Sequence, residues 1–244
     1  MHNARVPDGV RVYAIGDIHG RHDLLQRLHQ RIVADAAEHA GDAQPILVYL
    51  GDYIDRGLHS REVIDDLVAG PPPGFQSIHL KGNHDQQLLD FLINPAIGAA
   101  WMRYGGDATL YSYGVRISDD VPKETRLPTI RDGLLDLLPE NHLTFFKTLD
   151  LAYEIGDFIF VHAGIHPDKS LDQQTIEDLL WIRDEFLEAD FNLGKVVVHG
   201  HSVTEKPEVR LNRIGVDTGA FFSNRLSCLV LEGDTRRFLS SLDN

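Results

Sequence analysis

The sequence predicts an α/β fold, and three observations support that prediction. Short apolar segments at residues 10–15, 46–50 and 75–80 indicate strands. The two segments between them repeat apolar residues every three to four positions, which is typical of amphipathic helices. The alternation of strand and helix therefore predicts parallel strands that helical crossovers connect.

The predicted helices can be placed in chain order. Apolar residues from Leu24 to Ala37 define the inner face of the first helix, and Ser60 is the expected N-cap of the second. Residues 88–149 are predicted to be mostly helical, with breaks at proline and glycine residues. No linker isolates this segment, so we interpret it as a helical insertion or cap within a single domain that spans residues 1–244.

The last third of the chain returns to the strand pattern. Strands are predicted at residues 158–161, 195–198, 214–216 and 226–231, and a helix is predicted at residues 175–186. Cys228 lies within the last of these strands, where we expect a buried and unreactive thiol. Because it is the single cysteine, it excludes an internal disulfide and fits a reducing compartment.

Composition and charge limit the classes of function. Apolar residues make up 43% of the 244 residues and charged residues 25%, which is ordinary for a globular protein. Acidic residues outnumber basic ones by 37 to 23, and this balance argues against double-stranded nucleic acid as the main partner. The first nine residues contain no apolar segment typical of a signal peptide, and no segment is apolar over the length of a bilayer. We therefore expect a cytoplasmic protein without a membrane partner.

Polar side chains with metal-binding capacity follow five of the predicted strands directly. In chain order they are Asp17, His19, Asp52, Asn83, His84, His162, His199 and His201. Ligands of open α/β sheets bind at the carboxyl ends of the strands, so we expect these side chains to converge.

The donor types indicate the metals and the reaction. Aspartate, histidine and asparagine offer oxygen and nitrogen donors, which suit Mn, Fe, Zn or Ni better than Mg or Ca. Six candidate ligands are too many for one ion with an open position, and two ions that share a bridging carboxylate explain the number better. Two metals can hold the attacking and leaving oxygens of a displacement at phosphorus. The sequence therefore predicts a two-metal phosphoesterase.

The motifs themselves resemble those of a known family. Residues 16–20 (GDIHG), 51–57 (GDYIDRG) and 82–85 (GNHD) resemble the three signature motifs of the phosphoprotein phosphatases. Residues 162–164 and 200–202 resemble the later histidine motifs of that family, and the resemblance extends from about residue 10 to residue 231. The segment GVDTGA at residues 215–220 resembles the bacterial and phage branch, which includes hydrolases of symmetric dinucleoside tetraphosphates.

The resemblance implies a fold and a set of metal ligands. The fold would be a calcineurin-like metallophosphoesterase sandwich, in which mixed β-sheets are flanked by helices. Two divalent transition-metal ions would bind, with manganese as the expected metal and Fe, Zn or Ni as alternatives. Asp17 and His19 would bind one metal and Asp52 would bridge. The second metal would be held by Asn83, His162 and His201.

The resemblance also implies the roles of the remaining site residues. His84, oriented by Asp55, would be the general acid, and Arg56 would hold the substrate phosphate. Arg183 matches a second phosphate-binding arginine of the family. A water molecule activated by both ions would attack phosphorus directly, without a phosphoenzyme.

Three positions depart from the family pattern or are ambiguous. Asp85 stands where glutamate is usual, and Lys81 stands where arginine is usual, which could weaken a bidentate phosphate contact. The motif alignment favours His201 as the ligand, so we interpret His199 as a structural or supporting residue.

The sequence leaves the substrate open among three hypotheses. The favoured one is a serine/threonine protein phosphatase, also able to act on phosphotyrosine, with phosphorylated protein or peptide as partner. The second is a hydrolase of dinucleoside polyphosphates, in which Trp101 and Tyr104 could stack on a nucleobase, although such aromatics usually pack in a core. The third is a non-catalytic scaffold, against which the intact ligand set argues. The sequence gives no indication of the oligomeric state.

Overall fold

Two five-stranded sheets form the centre of the computed structural model, which describes residues 4–116, 120–190 and 194–242. The first sheet contains β1 (Val10–Ile15), β2 (Gln44–Tyr49), β3 (Gln76–His79), β9 (Ser227–Glu232) and β10 (Thr235–Ser240). The second contains β4 (Ala152–Ile155), β5 (Phe158–Val161), β6 (Val196–His199), β7 (Glu208–Val209) and β8 (Arg213–Gly215).

Both sheets mix parallel and antiparallel pairs. The order of the first is β10-β9-β1-β2-β3, in which β1, β2 and β3 are parallel and β9 pairs antiparallel with β1 and β10. The order of the second is β4-β5-β6-β8-β7, in which β5, β6 and β8 are parallel and the two edge strands are antiparallel. The prediction of an α/β sandwich of mixed sheets is confirmed.

Ten α-helices lie between the strands of the described residues. They are α1 (His22–His39), α2 (Ser60–Ala69), α3 (Asn83–Ile93), α4 (Gly98–Trp101), α5 (Asp107–Ser112), α6 (Lys123–Leu137), α7 (Glu140–Thr148), α8 (Ile176–Trp181), α9 (Asp184–Leu187) and α10 (Ala220–Ser223). A π-helical turn, Met102–Gly106, joins α4 to α5. Helices α3 to α7 fall largely within the segment expected to form an insertion, and its status as a cap inside one domain stays a prediction. No helix among the described residues combines the length and the apolar character that crossing a bilayer requires.

Two helix predictions need correction. Ser60 is not an N-cap, because it is the first residue of α2. Its Oγ atom instead accepts a hydrogen bond from the backbone N–H of Asp55, with 3.2 Å between the nitrogen and the oxygen. The predicted helix at residues 175–186 is two short helices, because Ile182 and Arg183 have non-helical backbone angles. This break redirects the chain at Arg183.

The interior of the sandwich is formed by apolar side chains from both sheets. Val12 and Val48 of the first sheet and Phe160 and Val198 of the second are fully buried in one cluster. Alternate residues of β1, such as Tyr13, face the helices on the other side of the sheet. The central strands are therefore apolar on both faces, which explains why their sequences are continuous apolar runs.

The second sheet is covered on its outer face by α8 and α9. Leu179 and Phe186 pack there against Ile159, Val161 and Val197. With helices on both outer faces, the carboxyl ends of β1, β2, β5 and β6 are left to carry the functional loops.

We predict that Phe160→Ala lowers the free energy of unfolding by about 3–5 kcal/mol, since it leaves a cavity between the sheets. Urea unfolding followed by circular dichroism measures this change. Leu211→Ala serves as the control, because that side chain is 78% exposed and its loss should change stability by less than about 0.5 kcal/mol. Equal stability of the two variants would contradict the described packing.

Candidate metal centre

Loops from both sheets bring the six predicted metal ligands to one place. Asp17 and His19 follow β1, and Asp52 follows β2. His162 follows β5 and His201 follows β6, while Asn83 is the first residue of α3. All six side chains are buried, and none is more than 6% exposed. The convergence expected from the strand ends is present.

The carboxylate of Asp52 lies at the middle of this arrangement. Its Oδ2 atom is 3.5 Å from Nε2 of His19, and its Oδ1 atom is 3.5 Å from Nε2 of His162. Two groups of potential ligand atoms share this carboxylate, one with His19 and His84 and the other with His162 and His201. Each oxygen of Asp52 therefore faces a different group.

Asn83 and Asp17 complete the two sides. The Oδ1 atom of Asn83 lies 2.9 Å from Nε2 of His162 and 2.9 Å from Nδ1 of His201. Asp17 belongs to neither group of ligand atoms, but it lines the same cavity, and its carboxylate accepts the backbone N–H of His201 at 3.1 Å.

Hydrogen bonds define which nitrogen of two histidines carries the proton. Nδ1 of His19 donates to the carbonyl of Ile54 (2.9 Å), and Nδ1 of His162 donates to the carbonyl of Leu50 (2.8 Å). Burial lowers the pKa of His19 to about 3 and also lowers the pKa of His162, so both rings are neutral. Their Nε2 atoms therefore carry lone pairs that are directed into the site.

These lone pairs face other acceptors, which is the observation that tests the fit of a metal. Nε2 of His19 faces the Asp52 carboxylate, and Nε2 of His162 faces the amide oxygen of Asn83. Acceptors that face each other repel, whereas a cation between them is bound by both. The arrangement carries candidate ligand groups for two divalent ions, and the donors fit them.

The buried carboxylates of Asp17 and Asp217 also fit bound cations. Burial raises the pKa of Asp17 well above its usual range, and the neighbouring charges of Asp217 and Asp52 raise it further. Burial likewise raises the pKa of Asp217 to about 6. Divalent cations would offset the repulsion among these carboxylates.

The backbone of the site is strained. Six non-glycine residues of the described ranges have positive φ, and all but Asn224 are site residues: His19, Asp52, Asp55, Arg56 and His201. Such conformations cost about 1 kcal/mol or more each and persist where surrounding contacts enforce them. Glycine is needed at position 82 because of close packing, since a Cβ atom there would lie 2.0 Å from Oδ1 of Asp52.

Asp85 and Lys81, the departures from the family pattern, have different surroundings. The Asp85 carboxylate accepts the N–H groups of Asp52 (2.9 Å), Tyr53 (3.2 Å) and Gly82 (2.9 Å), and so joins the loop after β2 to the start of α3. Nζ of Lys81 donates to Gln86 (3.3 Å), and Lys81 is not among the residues that line the cavity.

His84 forms a hydrogen-bonded pair with Asp55. Nδ1 of His84 lies 2.7 Å from Oδ2 of Asp55, and both side chains are buried. Burial favours the neutral imidazole, but the charge of Asp52 and the bond to Asp55 outweigh it and raise the pKa of His84. Its Nε2 atom faces the cavity, 3.2 Å from the guanidinium of Arg56, which in turn stacks over Phe221 at 4.6 Å.

A cavity of about 360 Å³ opens over this site. Both predicted phosphate-binding arginines, Arg56 and Arg183, line it, and Nη1 of Arg183 lies 3.5 Å from the carbonyl of His201. The break between α8 and α9 is what brings Arg183 there. Tyr104 and Trp181 also line the cavity, and Tyr104 is 62% exposed.

Trp101 and His199 lie where the sequence interpretation favours, in the interior and outside the groups of ligand atoms. Trp101, considered as a stacking surface, is 1% exposed, and its indole N–H donates to Oδ2 of Asp55 at 2.8 Å. His199 lies outside both donor groups, with Nδ1 near the carbonyl of Gly200 (3.0 Å) and Nε2 near Arg213 (3.4 Å).

Sequence reasoning missed Asp217 and Thr109. Asp217 comes just after a strand, as the other site carboxylates do, so its position could have identified it. Thr109 donates to Oδ1 of Asp55 at 2.6 Å, but a single threonine within a helix gives no signal in the sequence.

Known proteins are similar to this chain over most of its length. The chain is 30% identical to serine/threonine-protein phosphatase 2 of Salmonella typhimurium over 226 residues, which cover 88% of this chain and 90% of that protein. It is 27% identical over 235 residues to the asymmetrical bis(5'-nucleosyl)-tetraphosphatase PrpE of Bacillus subtilis, with 87% of each chain covered. The crystal structure of a cold-active protein-tyrosine phosphatase of Shewanella superposes with a TM-score of 0.59 at 18% identity, and covers 98% of this chain and 84% of that one.

The fold, the donor groups and these relatives all point to the same kind of protein. The profile of the calcineurin-like phosphoesterases matches residues 10–221. The chain therefore belongs to the calcineurin-like phosphoesterase family and is a hydrolase that acts on phosphate esters.

Proposed function

We propose that this phosphoesterase is a protein phosphatase that hydrolyses phosphomonoesters of serine and threonine, and also of tyrosine. In this proposal Asp17 and His19 would hold one divalent ion, Asp52 would contribute to both ion sites, and a second ion would have three further ligands. Those ligands are Asn83, His162 and His201. The opposed acceptor atoms around Asp52 support this assignment, and the mixed nitrogen and oxygen donors suit manganese, with Fe, Zn or Ni as alternatives.

When bound, two divalent ions draw electron density from the phosphoryl oxygens and lower the pKa of a water molecule. The chain itself supplies the binding of the phosphate. The guanidinium groups of Arg56 and Arg183 line the cavity, and a guanidinium matches the oxygens of a phosphate with two parallel donors. Phe221 lies under Arg56 and restricts its orientation.

His84 is suited to protonate the leaving group. Nδ1–H of His84 donates a hydrogen bond to Asp55, which directs Nε2 into the cavity. Water attacks phosphorus, the bond from phosphorus to the substrate oxygen breaks, and that oxygen takes the proton from Nε2. A proton released by the attacking water then restores the one on Nε2. The products are inorganic phosphate and a free hydroxyl side chain. This hydrogen-bonded pair beside two arginines is the observation on which the proposal of a phosphomonoesterase rests.

The burial of Trp101 removes one of the two aromatic rings that could stack on a nucleobase. A nucleobase needs an accessible aromatic surface, but the indole of Trp101 is buried and hydrogen-bonded to Asp55. The similarity to the Salmonella serine/threonine phosphatase over nearly its whole length also supports the proposal.

A second candidate is the hydrolysis of dinucleoside tetraphosphates. Tyr104 and Trp181 line the cavity with exposed rings that could stack on a base, and the PrpE relatives are named for this activity. Asymmetrical cleavage would yield a nucleoside triphosphate and a monophosphate, whereas symmetrical cleavage would yield two diphosphates.

We predict that the manganese-loaded protein has a kcat/KM at least ~10-fold higher on phosphoserine and phosphothreonine peptides than on diadenosine tetraphosphate. Phosphate release measures the first reaction, and chromatography of the nucleotide products measures the second. His84→Asn is the control, and its turnover should fall by ~10²–10⁴-fold with the metals still bound. Preference for the dinucleotide would replace the protein-phosphatase proposal with the second candidate.

We predict that Asp52→Asn loses both metal and activity, because it removes a negatively charged oxygen from between the two donor groups. Elemental analysis after dialysis should show less than two metals per chain, with an affinity more than ~100-fold weaker. Asp234→Asn makes the same change of charge at an exposed turn and should retain both ions. Retention of two ions by Asp52→Asn would show that Asp52 is not the bridge.

A further inference from the structure

We infer that Trp101 and Thr109 are positioning residues that hold the His84–Asp55 pair in its reactive orientation. The inference rests on the proposed function, in which His84 protonates the leaving group. Both residues come from the helical segment that lies between β3 and β4 in the chain, at the end of α4 and within α5. Neither lines the cavity and both bond to Asp55, so we expect their effect on turnover to pass through Asp55.

Trp101 shares one oxygen of Asp55 with His84. Its indole N–H donates to Oδ2 at 2.8 Å, and Nδ1 of His84 lies 2.7 Å from the same atom. The indole N–H can only donate, so it holds Oδ2 as an acceptor on a fixed side. The remaining lone-pair direction of Oδ2 is left for the imidazole.

Thr109 contacts both the backbone and the side chain of Asp55. Its hydroxyl donates to Oδ1 at 2.6 Å and accepts the N–H of Asp55 at 2.9 Å. With Oδ1 bound to Thr109 and Oδ2 bound to Trp101, the plane of the carboxylate is fixed. Rotation of this carboxylate would break at least one of the three bonds and turn the imidazole of His84.

The position of Asp55 makes this support necessary. Asp55 is fully buried, so solvent does not restrain its carboxylate, and its φ of 72° is unfavourable for a residue with a side chain. Hydrogen bonds from fixed donors are the available means of orienting a buried anion.

The same helical segment also contacts Arg56. The N–H of Arg56 donates to the carbonyl of Gly105 at 3.0 Å. Gly105 has a φ of 109°, and a Cβ atom there would lie 2.6 Å from the nitrogen of Arg56. The segment from Trp101 to Thr109 thus contacts both consecutive residues of the Asp55–Arg56 turn.

The test compares two substrates of similar shape whose leaving groups differ in their need for an acid. 4-Nitrophenyl phosphate releases a stable phenolate, whereas phenyl phosphate releases a poorer leaving group that benefits from a proton. We predict that Thr109→Val and Trp101→Phe lower kcat on phenyl phosphate by ~10–100-fold and on 4-nitrophenyl phosphate by less than ~3-fold. KM and metal content should stay unchanged, and Thr109→Ser, which keeps the hydroxyl, should restore turnover.

Two control variants separate this role from packing and from failure of the proposed function. Tyr113→Phe removes a buried hydrogen bond to His142 in the same helical segment. It should leave the ratio of kcat on phenyl phosphate to kcat on 4-nitrophenyl phosphate unchanged. Equal losses on both substrates, matched by Tyr113→Phe, would overturn the positioning role. The positioning role would also be overturned if Thr109→Val and Trp101→Phe kept the wild-type ratio of kcat on the two substrates while His84→Asn changed that ratio. If His84→Asn itself leaves the ratio unchanged, the acid assignment fails and the inference fails with it.

Discussion

The site depends on one constraint, which is that the Asp52 carboxylate is buried between two sets of lone pairs. Nε2 of His19 faces one of its oxygens and Nε2 of His162 faces the other, each at 3.5 Å. Neutral imidazoles and carboxylates in contact without a cation are electrostatically unfavourable. The fold imposes this geometry because each side chain is fixed by a different strand end, and the left-handed backbone at His19, Asp52 and His201 is part of its cost.

The sandwich and the helical segment contribute different parts of the function. Apolar contacts between the sheets fix the positions of the strand ends relative to one another, and the metal-binding side chains extend from those ends. The helices from α4 to α5 supply no metal ligand in this account. They bond to Asp55 through Trp101 and Thr109, and they extend the exposed ring of Tyr104 along the cavity. Variation in such a segment could change the substrate while the metal centre is kept.

Much of this arrangement follows from the sequence, because strand ends and donor types are local properties. Apolar runs followed by aspartate or histidine predicted both the sheets and the convergence of Asp17, Asp52 and His162. Contacts between distant segments leave no such pattern. The bonds to Asp55 from Thr109 and Trp101 join residues 54 and 46 positions apart, and the sequence predicted only that an aromatic such as Trp101 usually packs in a core.

The central claim is that two metal ions bind on opposite sides of Asp52. Anomalous diffraction from crystals of the manganese-loaded protein tests it most directly. The account predicts two peaks about 3.5–4 Å apart, one beside Asp17 and His19 and one among the second set of ligands, with Asp52 between them. A single peak, or two peaks that Asp52 does not bridge, would contradict it.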